Sequence, residues 1–485
     1  MRQVPDSELK NRLRFDNPWW ESGKVDTRFD EWPRRAYFNG FVNLVTTTDV
    51  HRAVVLMGPR RVGKTVMIQQ TIQSLLENGI EPAHILYVSV DTPVYTGQSL
   101  EKLLSYFQEL QGHGRDAELY VFFDEIQYHP EWEVHLKSLV DSYHTIRFIA
   151  SGSAAAALKL KSRESGAGRF TDFILPPLTF LEFLQFQNLE DQYFESEKGG
   201  WQVKDMDGLN VQFIRYLNYG GFPEAVMEEH VRDDIGRYVA SDIIDKVLLR
   251  DLPSLYGIAD IQELNRLFTV LAYNTGQEVT IDGLSQSSNV SKNTIKKYIE
   301  YLEAAFLICR LPRLDQNAKR FKKQTRFKVY LTNPSLRAAL FGAVGADDPE
   351  IGNIVETALV SLYAQSVVYD DLFYARWKTG EVDIVLSPLT FETKILTAIE
   401  IKWSDRVVDH AAEDLRSLIS FCKRTETTND VIVTTRTKTG LDTIGGIKVN
   451  FLPAAKLAYQ DGKTLIEESI EEGIHPLTAT GFKDS

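Results

Sequence analysis

A glycine-rich turn between an apolar run and a helical stretch constrains this chain most. Residues 54–57 are four consecutive apolar residues, which predicts a buried strand. Residues 58–65, GPRRVGKT, fit the spacing G-x-x-x-x-G-K-[ST]. Residues 66–76 then predict a helix whose positive N-terminal end faces the turn. A strand, a glycine turn and a helix in this order predict a binding site for a polyphosphate.

The residue types in this turn suit phosphate chemistry. Gly58 and Gly63 allow the backbone to curl, so that its N–H groups approach the anion. Lys64 can reach the outer phosphates, and the Thr65 hydroxyl can hold Mg²⁺. The turn therefore predicts binding of ATP together with Mg²⁺.

Two arginines inside the turn are not required by the spacing. Arg60 and Arg61 either add positive potential near the phosphates or face solvent, and we favour solvent. The whole turn is nevertheless part of the predicted nucleotide site. Its predicted contacts are Gly58, Pro59, Arg60, Arg61, Val62, Gly63, Lys64, Thr65 and Val66.

Carboxylates that complete a magnesium site follow a second apolar run. Residues 119–123 predict a strand, and Asp124 at its end can bind the Mg²⁺ while Glu125 polarises an attacking water. Residues 146–150 predict another strand, followed by Ser151, which either contacts the nucleotide or belongs to a plain loop. Apolar strands that alternate with helical segments predict an α/β fold with a parallel sheet and a ligand at the carboxyl ends of its strands.

Composition and charge narrow the classes of protein that fit. The chain has 485 residues, enough for about three domains, and it carries a net charge of −13, which weakly disfavours nucleic acid as a partner. No apolar stretch approaches the ~20 residues that span a bilayer, so no membrane partner is expected. Cys309 and Cys422 lie far apart in the sequence, which favours a reducing cytoplasmic location.

Six short motifs resemble those of prokaryotic AAA+-like ATPases that carry a C-terminal domain of the DUF4143 type. They are GPRRVGKT, VFFDEIQ, IASGSAA, GAGRF, LPPLTFLEFL and YGGFPEAV, and the resemblance covers about residues 32–453. It implies ATP hydrolysis and makes Arg169, or alternatively Arg163, a candidate to reach a phosphate in its own subunit or in a neighbour's. A homo-oligomer is expected on that basis. An ordinary loop arginine remains the alternative for each position.

The middle of the chain predicts a small helical lid over residues 176–255 and then a segment that resembles a winged helix-turn-helix over residues 256–340. Ser291 is expected to cap a helix with Ile295, Ile299 and Leu302 on its buried face. A basic run from residue 319 to residue 328 follows it. Either this region binds DNA, or it serves as a packing or protein-contact module. The candidate DNA contacts are Lys292, Lys296, Lys297, Arg320, Lys322 and Lys323.

Acidic residues near the carboxyl end of the chain resemble the site of the PD-(D/E)XK nuclease superfamily. Glu356 lies on a predicted helix, Asp383 on a strand, and Glu400 and Lys402 share one face of a further strand. The three carboxylates are candidate ligands of Mg²⁺ or Mn²⁺, and Lys402 is the candidate that orients the attacking water. The proline that names the superfamily is missing from this sequence.

The predicted organisation is an N-terminal segment (1–33), a P-loop ATPase domain (34–175), the helical lid (176–255), the winged helix (256–340), the nuclease-like domain (341–465) and a tail (466–485). The predicted function is a Mg²⁺-dependent ATPase coupled to a nuclease-like domain that acts on DNA. The alternative is an ATP-driven switch or DNA motor whose C-terminal domain is a non-catalytic module that binds a partner or DNA.

Overall fold

The computed structural model of the chain describes residues 4–47, 51–152, 168–197, 200–258, 260–321, 325–364, 371–387, 395, 397–427 and 431–471. The chain divides into two compact units, Met1–Pro176 with Ser469–Pro476, and Pro177–Glu468 with Leu477–Ser485. Among the helices of the described residues, none combines the length and the apolar character that crossing a membrane requires.

A five-stranded sheet forms the centre of the first unit, and all its neighbouring strands are parallel. The strands are β1 Ala53–Met57, β2 Ile85–Ser89, β3 Leu119–Asp124, β4 Ile146–Gly152 and β5 Phe170–Ile174, in the order β2-β3-β4-β1-β5. The helices are α1 Asp6–Asp16, α2 Trp19–Ser22, α3 Thr27–Asp30, α4 Phe38–Thr46, α5 Lys64–Glu77, α6 Leu100–Gln111 and α7 Trp132–Ser142. Short 3₁₀ turns span Pro82–His84, Pro93–Tyr95 and Ile126–Tyr128.

Parallel strands bring the residues that follow them to one edge of the sheet. Every residue of β1 is buried, as expected for a central strand covered on both faces. Because β4 lies between β1 and β3, the polar residues after these three strands become neighbours. The glycine turn and the predicted acidic pair, Asp124 and Glu125, both lie at this edge of the sheet.

The N-terminal segment covers the exposed edge of this sheet. The side chain of Asn17 bonds to both backbone groups of Tyr87 on the edge strand β2, at 2.9 Å to the carbonyl and 2.6 Å from the N–H. The indole N–H groups of Trp19 and Trp20 both donate to the carbonyl of Ile85. Asn17, Trp19 and Trp20 therefore satisfy backbone groups that an edge strand would leave unpaired, and Trp19 and Val25 belong to the core of this unit.

The second unit is built on a nine-stranded sheet of order β15-β16-β14-β13-β12-β11-β9-β10-β8, with a separate hairpin β6-β7. Its strands are β6 Phe194–Glu197, β7 Gly200–Val203, β8 Glu278–Thr280, β9 Ile308–Leu314, β10 Arg326–Leu331, β11 Asp371–Trp377, β12 Gly380–Ser387, β13 Thr397–Glu400, β14 Val431–Thr435, β15 Gly440–Ile444 and β16 Ile447–Pro453. Its first helices are α8 Phe180–Phe186, α9 Glu190–Tyr193, α10 Met206–Tyr219, α11 Pro223–Met227, α12 Glu229–Asp233, α13 Ile235–Arg237, the π-helical α14 Tyr238–Asp251 and α15 Leu252–Tyr256. The later helices are α16 Ile261–Tyr273, α17 Ile281–Ser288, α18 Lys292–Ala304, α19 Pro334–Phe341, α20 Ile351–Ala364, α21 Arg406–Asp409, α22 Ala411–Asp414, α23 Arg416–Thr425 and α24 Ala454–Glu471.

One continuous sheet contains strands from both sides of the predicted domain boundary at residue 340. Strand β9 pairs in parallel with β11, through Arg313 opposite Tyr374 and Leu314 opposite Ala375. Strands β8, β10 and β9 are antiparallel neighbours, and α16, β8, α17, α18, β9 and β10 follow one another in sequence. The segment that the sequence assigned to a winged helix therefore shares its sheet with the segment assigned to a nuclease-like domain.

Two of the motifs that carry the family resemblance, LTFLEFL and GGFPE, contact each other within the second unit. In LTFLEFL, Thr179 and Glu182 cap the start of α8 by exchanging hydrogen bonds with each other's backbone. The N–H of Leu178 donates to the carbonyl of Gly221 in the GGFPE motif at 3.0 Å. A Cβ atom on Gly221 would lie 1.8 Å from the buried side chain of Asn333, so only glycine fits there. Of the predicted lid, residues 176–255, all but Pro176 belong to the second unit.

Candidate functional site

The glycine turn is packed tightly against the end of the neighbouring strand β5. A Cβ atom on Gly58 would lie 2.2 Å from the carbonyl oxygen of Leu175, so the turn requires glycine at this position. The guanidinium of buried Arg35 donates to the carbonyl of Val62 at 2.7 Å and to that of Pro176 at 2.9 Å. Arg35 thereby connects the glycine turn to the segment that follows β5. It was not predicted from the sequence, because it lies 27 positions before its partner with no motif around it.

Lys64 lies within the turn that it closes. Its side chain is buried, and its ammonium group donates to the carbonyls of Gly58 at 3.0 Å and Pro59 at 2.7 Å. Helix α5 begins at Lys64, so the helix N-terminus and the ammonium charge lie at the same place. Both favour an anion there, and Val66 follows in the first turn of the helix.

Asp124 is the centre of the hydrogen bonds at this sheet edge. Its Oδ2 atom accepts from the hydroxyl of Thr65 at 2.8 Å and from that of Tyr87 at 2.9 Å. Its Oδ1 atom accepts from the hydroxyl of Ser151 and from the N–H of Glu125. The structure thus brings together Thr65, Asp124 and Ser151, which the sequence placed at three different strand ends. A hydroxyl beside a carboxylate is an oxygen donor set that fits Mg²⁺.

Tyr87 is a member of this site that the sequence did not predict. It lies on β2, its hydroxyl is directed at Asp124, and its ring is buried. Burial and the nearby Asp124 carboxylate raise the pKa of Tyr87 well above its usual value, so it remains a hydrogen-bond donor. A tyrosine in an apolar strand looks like core in the sequence, and only the strand order reveals its partner.

Glu125 lies beside Asp124 in a left-handed backbone conformation, with φ 55°. Its N–H also lies 3.3 Å from the Ser151 hydroxyl, and its carboxylate accepts from the side-chain amide of Gln127. Burial and the neighbouring Asp124 carboxylate raise the pKa of Glu125, while Lys64 and Arg60 oppose that rise. A carboxylate in such surroundings is suited to accept a proton from a water molecule.

The two arginines of the turn differ. Arg60 donates to the hydroxyl of Tyr128 at 2.6 Å and lies near enough to Glu125 to lower its pKa. The expectation that both arginines face solvent is therefore wrong for Arg60, which the turn Ile126–Tyr128 holds beside the acidic pair. Arg61 is exposed and has a left-handed φ of 64°.

Arg169 lies at the opposite edge of the sheet. Its carbonyl accepts from the N–H of Ala53, at the start of β1, whereas the glycine turn follows the end of that strand. Its half-exposed side chain pairs with Asp141 on α7. The length of β1 therefore separates Arg169 from the glycine turn of its own subunit. Arg163, the other candidate, lies outside the described residues.

The candidate DNA contacts differ in exposure and in the partners of their side chains. Helix α18 is capped by Ser291, and Lys296 and Lys297 are exposed on its outer face. Lys292 pairs with Asp282 at 2.5 Å. The guanidinium of Arg320 lies over the ring of Phe373, with 4.9 Å to its centroid. Lys322 and Lys323 lie outside the described residues.

Lys328, which the sequence counted in a basic surface run, is instead buried in an acidic cluster. Its side chain is 4% exposed. Its ammonium nitrogen lies 2.8 Å from Glu356 Oε1, 2.6 Å from Glu381 Oε1 and 3.8 Å from Asp383 Oδ1. Burial lowers the pKa of Lys328, but the carboxylates of Glu356, Asp383 and Glu381 outweigh burial and the net shift is upward. Lys328 is therefore a permanent cation among these carboxylates.

The other predicted members of the nuclease-like site have partners of their own. Glu400 Oε1 accepts from the ammonium of Lys402 at 2.7 Å, and Asp383 Oδ2 accepts from the N–H of Ile401 at 2.9 Å. Glu356 Oε1 also accepts from the hydroxyl of Tyr330 at 2.5 Å. Burial and the Asp383 carboxylate raise the pKa of Glu400 to about 8, against the opposing effect of Lys402.

These residues do not fit the predicted metal centre. One atom would suit a cation, because Glu400 Oε2 is buried and has no hydrogen-bond partner within the described parts of the chain. However, Glu356 Oε1 accepts hydrogen bonds from Lys328 and Tyr330, and Lys328 also lies beside Asp383. Among the residues that the structure describes, no group of three His, Cys, Asp or Glu side chains could hold a metal ion. The predicted ligands Glu356, Asp383 and Glu400 therefore lie in ion pairs and hydrogen bonds within the protein, and Lys402 donates to Glu400.

Comparison with known families supports the ATPase interpretation of the N-terminal part of the chain. Residues 50–184 match the model of an AAA domain, and residues 210–347 match a domain of unknown function, DUF8612, where the sequence predicted a DUF4143-type domain. The AAA match includes the glycine turn, Asp124 and Glu125. Together with the site geometry, it supports an AAA-like P-loop ATPase in this part of the chain.

Several relatives share most of the chain, and all are named only as uncharacterized proteins. One from Haemophilus influenzae is 28% identical over 318 residues, covering 64% of this chain and 74% of the relative. One from Methanocaldococcus jannaschii is 26% identical over 346 residues, covering 68% of this chain and 71% of the relative. One from Mycobacterium tuberculosis is 25% identical over 374 residues, covering 74% of each.

Solved structures give a weaker likeness. The replication initiator DnaA bound to AMPPCP and single-stranded DNA has a TM-score of 0.28 and 14% identity, covering 62% of this chain and 93% of its own. AMPPCP-bound DnaA from Aquifex aeolicus has a TM-score of 0.24 and 16% identity, covering 55% and 86% respectively. At these scores the likeness carries no argument for this chain.

Proposed function

We propose that this protein is a Mg²⁺-dependent ATPase that acts as a nucleotide-driven switch, and that its second unit is a binding module for DNA. The observation that carries the ATPase proposal is the hydrogen bond between Thr65 and Asp124, which joins the glycine turn to the acidic strand end at 2.8 Å. Two sequence motifs about 60 residues apart thereby form one site of the type that Mg²⁺ and a triphosphate require.

Each residue of the site has a role in this proposal. Lys64 and the N-terminus of α5 bind the outer phosphates, since both present positive charge to the same point. Thr65 and Asp124 hold Mg²⁺, which would neutralise charge on the phosphates when bound. Glu125 accepts a proton from the attacking water, because its raised pKa makes it a stronger base than an ordinary glutamate. Ser151 fixes the orientation of Asp124.

The proposed output is binding and not cleavage. Two of the carboxylates that a nuclease would use, Glu356 and Asp383, lie at ion-pair distance from the buried Lys328, so we propose no nuclease step. The order helix, strand, helix, helix, strand, strand, with β8, β10 and β9 antiparallel, supports a winged-helix topology. On helix α18, the apolar residues are buried while Lys296 and Lys297 are exposed, as a helix that contacts phosphates requires.

The ATPase proposal is tested with Lys64→Ala and Glu125→Gln, and with the exposed Lys24→Ala as a control of equal charge change. Lys64→Ala is expected to lose ATP binding and turnover. Glu125→Gln is expected to bind ATP but to lose turnover by about 10²-fold or more, since it lacks the general base. Binding is measured with a fluorescent ATP analogue and turnover by phosphate release. A Lys64→Ala protein that binds and hydrolyses ATP like the parent would refute the proposal.

The DNA proposal is tested with the double variant Lys296→Ala/Lys297→Ala. The matched control is Lys423→Ala/Lys448→Ala, which removes the same charge from exposed positions of the second unit. Fluorescence anisotropy with labelled duplex DNA should show weaker binding only for the first pair. The slope of log affinity against log salt should become shallower by about 0.9 for each DNA phosphate that the variant no longer neutralises. Equal weakening by both pairs would indicate general charge attraction and would remove α18 as the DNA-binding element.

A further inference from the structure

The Lys328 ammonium group lies where three acidic side chains converge. Glu381 and Asp383 share one face of β12, since they are two positions apart on a strand, and Glu356 approaches from α20. The nitrogen lies 2.6 Å from Glu381 and 2.8 Å from Glu356, which are distances of charge-assisted hydrogen bonds. Asp383 lies 3.8 Å away, at ion-pair distance.

Strand β10 holds Lys328 in this position. Its backbone lies in the middle of the strand, opposite Leu311 on β9 and Glu278 on β8, so it is paired on both sides. The side chain is 4% exposed and therefore has no route to solvent without disrupting the sheet. A surface lysine could swing away to admit a metal ion, but Lys328 cannot.

The charges of the cluster are nearly balanced without a metal ion. Two further cations lie at its margin, because Lys402 pairs with Glu400 at 2.7 Å and Arg376 pairs with Glu381 at 3.3 Å. The carboxyl groups of the cluster are those of Glu356, Glu381, Asp383 and Glu400, and the cations are Lys328, Lys402 and Arg376, so the two sets differ by one member at most. A divalent ion added to this set would lie against a fixed positive charge and would have to compete for the same oxygens.

We propose that the Lys328 ammonium group permanently fills the cation position of this acidic cluster, so that the second unit folds without a divalent metal ion and is not a metal-dependent nuclease. The fold thus keeps the carboxylates of a nuclease-like site and uses them to anchor a lysine. The lysine comes from β10, so the ion pairs tie the three-stranded segment β8-β10-β9 to α20 and β12. The acidic cluster is then a structural joint of the second unit.

The first test is a titration of the wild-type protein with MnCl₂, without nucleotide, followed by electron paramagnetic resonance of free Mn²⁺. Asp124→Asn and Asp383→Asn assign any bound ion to the first or the second unit. We expect no Mn²⁺ whose binding depends on Asp383. An ion that Asp383→Asn removes and Asp124→Asn leaves in place would overturn the proposal, and this result needs no altered lysine.

The second test replaces the ammonium. Lys328→Met is expected to gain Mn²⁺ binding, with an increase in Tm of about 5 °C at Mn²⁺ concentrations near 100 times Kd. Lys328→Arg keeps the charge and should behave as the wild type, with a Tm that Mn²⁺ leaves unchanged. A Lys328→Met protein that folds only when Mn²⁺ is present supports the same conclusion.

One outcome of the second test would overturn the proposal. If folded Lys328→Met neither binds Mn²⁺ nor changes its Tm with Mn²⁺, the cluster was not a cation position. If Lys328→Met does not fold under any condition, Lys328→Met/Glu356→Gln removes one charge of each sign. That variant is expected to fold, because the balance of the cluster is kept. Its failure to fold would contradict the role given to charge balance. Binding of Mn²⁺ to the wild type through Asp383 would refute the proposal.

Discussion

Removal of the Tyr87 hydroxyl tests whether Asp124 is oriented by the strand next to it. Tyr87→Phe deletes the 2.9 Å hydrogen bond to Asp124 Oδ2 and keeps the ring in the core. A hydrogen bond to a charged group contributes about 1.5–3 kcal/mol. Because Oδ2 still accepts from Thr65, the carboxylate is not left without a partner, and the lower end, about 1.5 kcal/mol, applies.

This loss of about 1.5 kcal/mol is expected to change two measurable quantities. For a unit of this size, a loss of about 1.5 kcal/mol lowers Tm by roughly 3–6 °C. The Mg²⁺ concentration that gives half-maximal ATPase activity should rise by at most about tenfold, since 1.4 kcal/mol corresponds to tenfold in an equilibrium constant. Tm is measured by differential scanning calorimetry, and the Mg²⁺ dependence by phosphate release at saturating ATP.

The control is Tyr120→Phe, on the same sheet at the other end of β3 from Asp124. It removes a tyrosine hydroxyl from a half-buried ring, so it reports any general cost of the substitution. We expect its Tm and Mg²⁺ dependence to match the wild type. A Tyr87→Phe protein whose Tm stays within about 1 °C of the wild type, with unchanged Mg²⁺ dependence, would refute the role given to this tyrosine.

Three further predictions concern other parts of the chain. Arg60→Ala should move the acid limb of the pH–rate profile to higher pH, because Arg60 lowers the pKa of Glu125; a move to lower pH would contradict the placement of its charge. Burial and Asp383 raise the pKa of Glu400 to about 8 from 4.5, so its contribution to stability is present below pH 4.5 and lost as pH rises through about 8. Glu400→Gln should therefore flatten the decrease of Tm between about pH 5 and pH 9 in thermal melts, and an unchanged pH profile would contradict this. Gly221→Ala should cost about 1–3 kcal/mol in the urea-unfolding free energy, since its Cβ would overlap a buried side chain, whereas Gly345→Ala has open space and should be neutral.

The second unit contains a nuclease-like sequence signature whose carboxylates form ion pairs and hydrogen bonds within the protein. Acidic residues at alternate strand positions and an acid-x-Lys pair are compatible with a metal centre, and equally with an internal ion-pair joint. The deciding residue is Lys328, which lies 28 positions before Glu356 in the sequence. Its neighbours in the sequence include several lysines and arginines, so it looks like part of a basic surface.

The sequence by itself predicted the local structure of the glycine turn. The spacing of Gly58, Gly63, Lys64 and Thr65 predicted a strand, a turn and a helix, and each forms where it was expected. The cap of α18 at Ser291 and the buried face of that helix were also predictable. These features depend on residues within one or two turns of each other, so nearby sequence is sufficient to specify them.

Only the tertiary structure decided which distant residues share a site. The order β2-β3-β4-β1-β5 brings Tyr87 to Asp124, and the parallel pairing of β5 with β1 leaves Arg169, which precedes β5, at the edge opposite the glycine turn. Neither strand order nor strand pairing is encoded in a local pattern. Burial decided that Lys328 is an internal cation and not a surface charge. A side chain's role depends on the dielectric and the partners around it, and those are set by strands and helices that come from elsewhere in the chain.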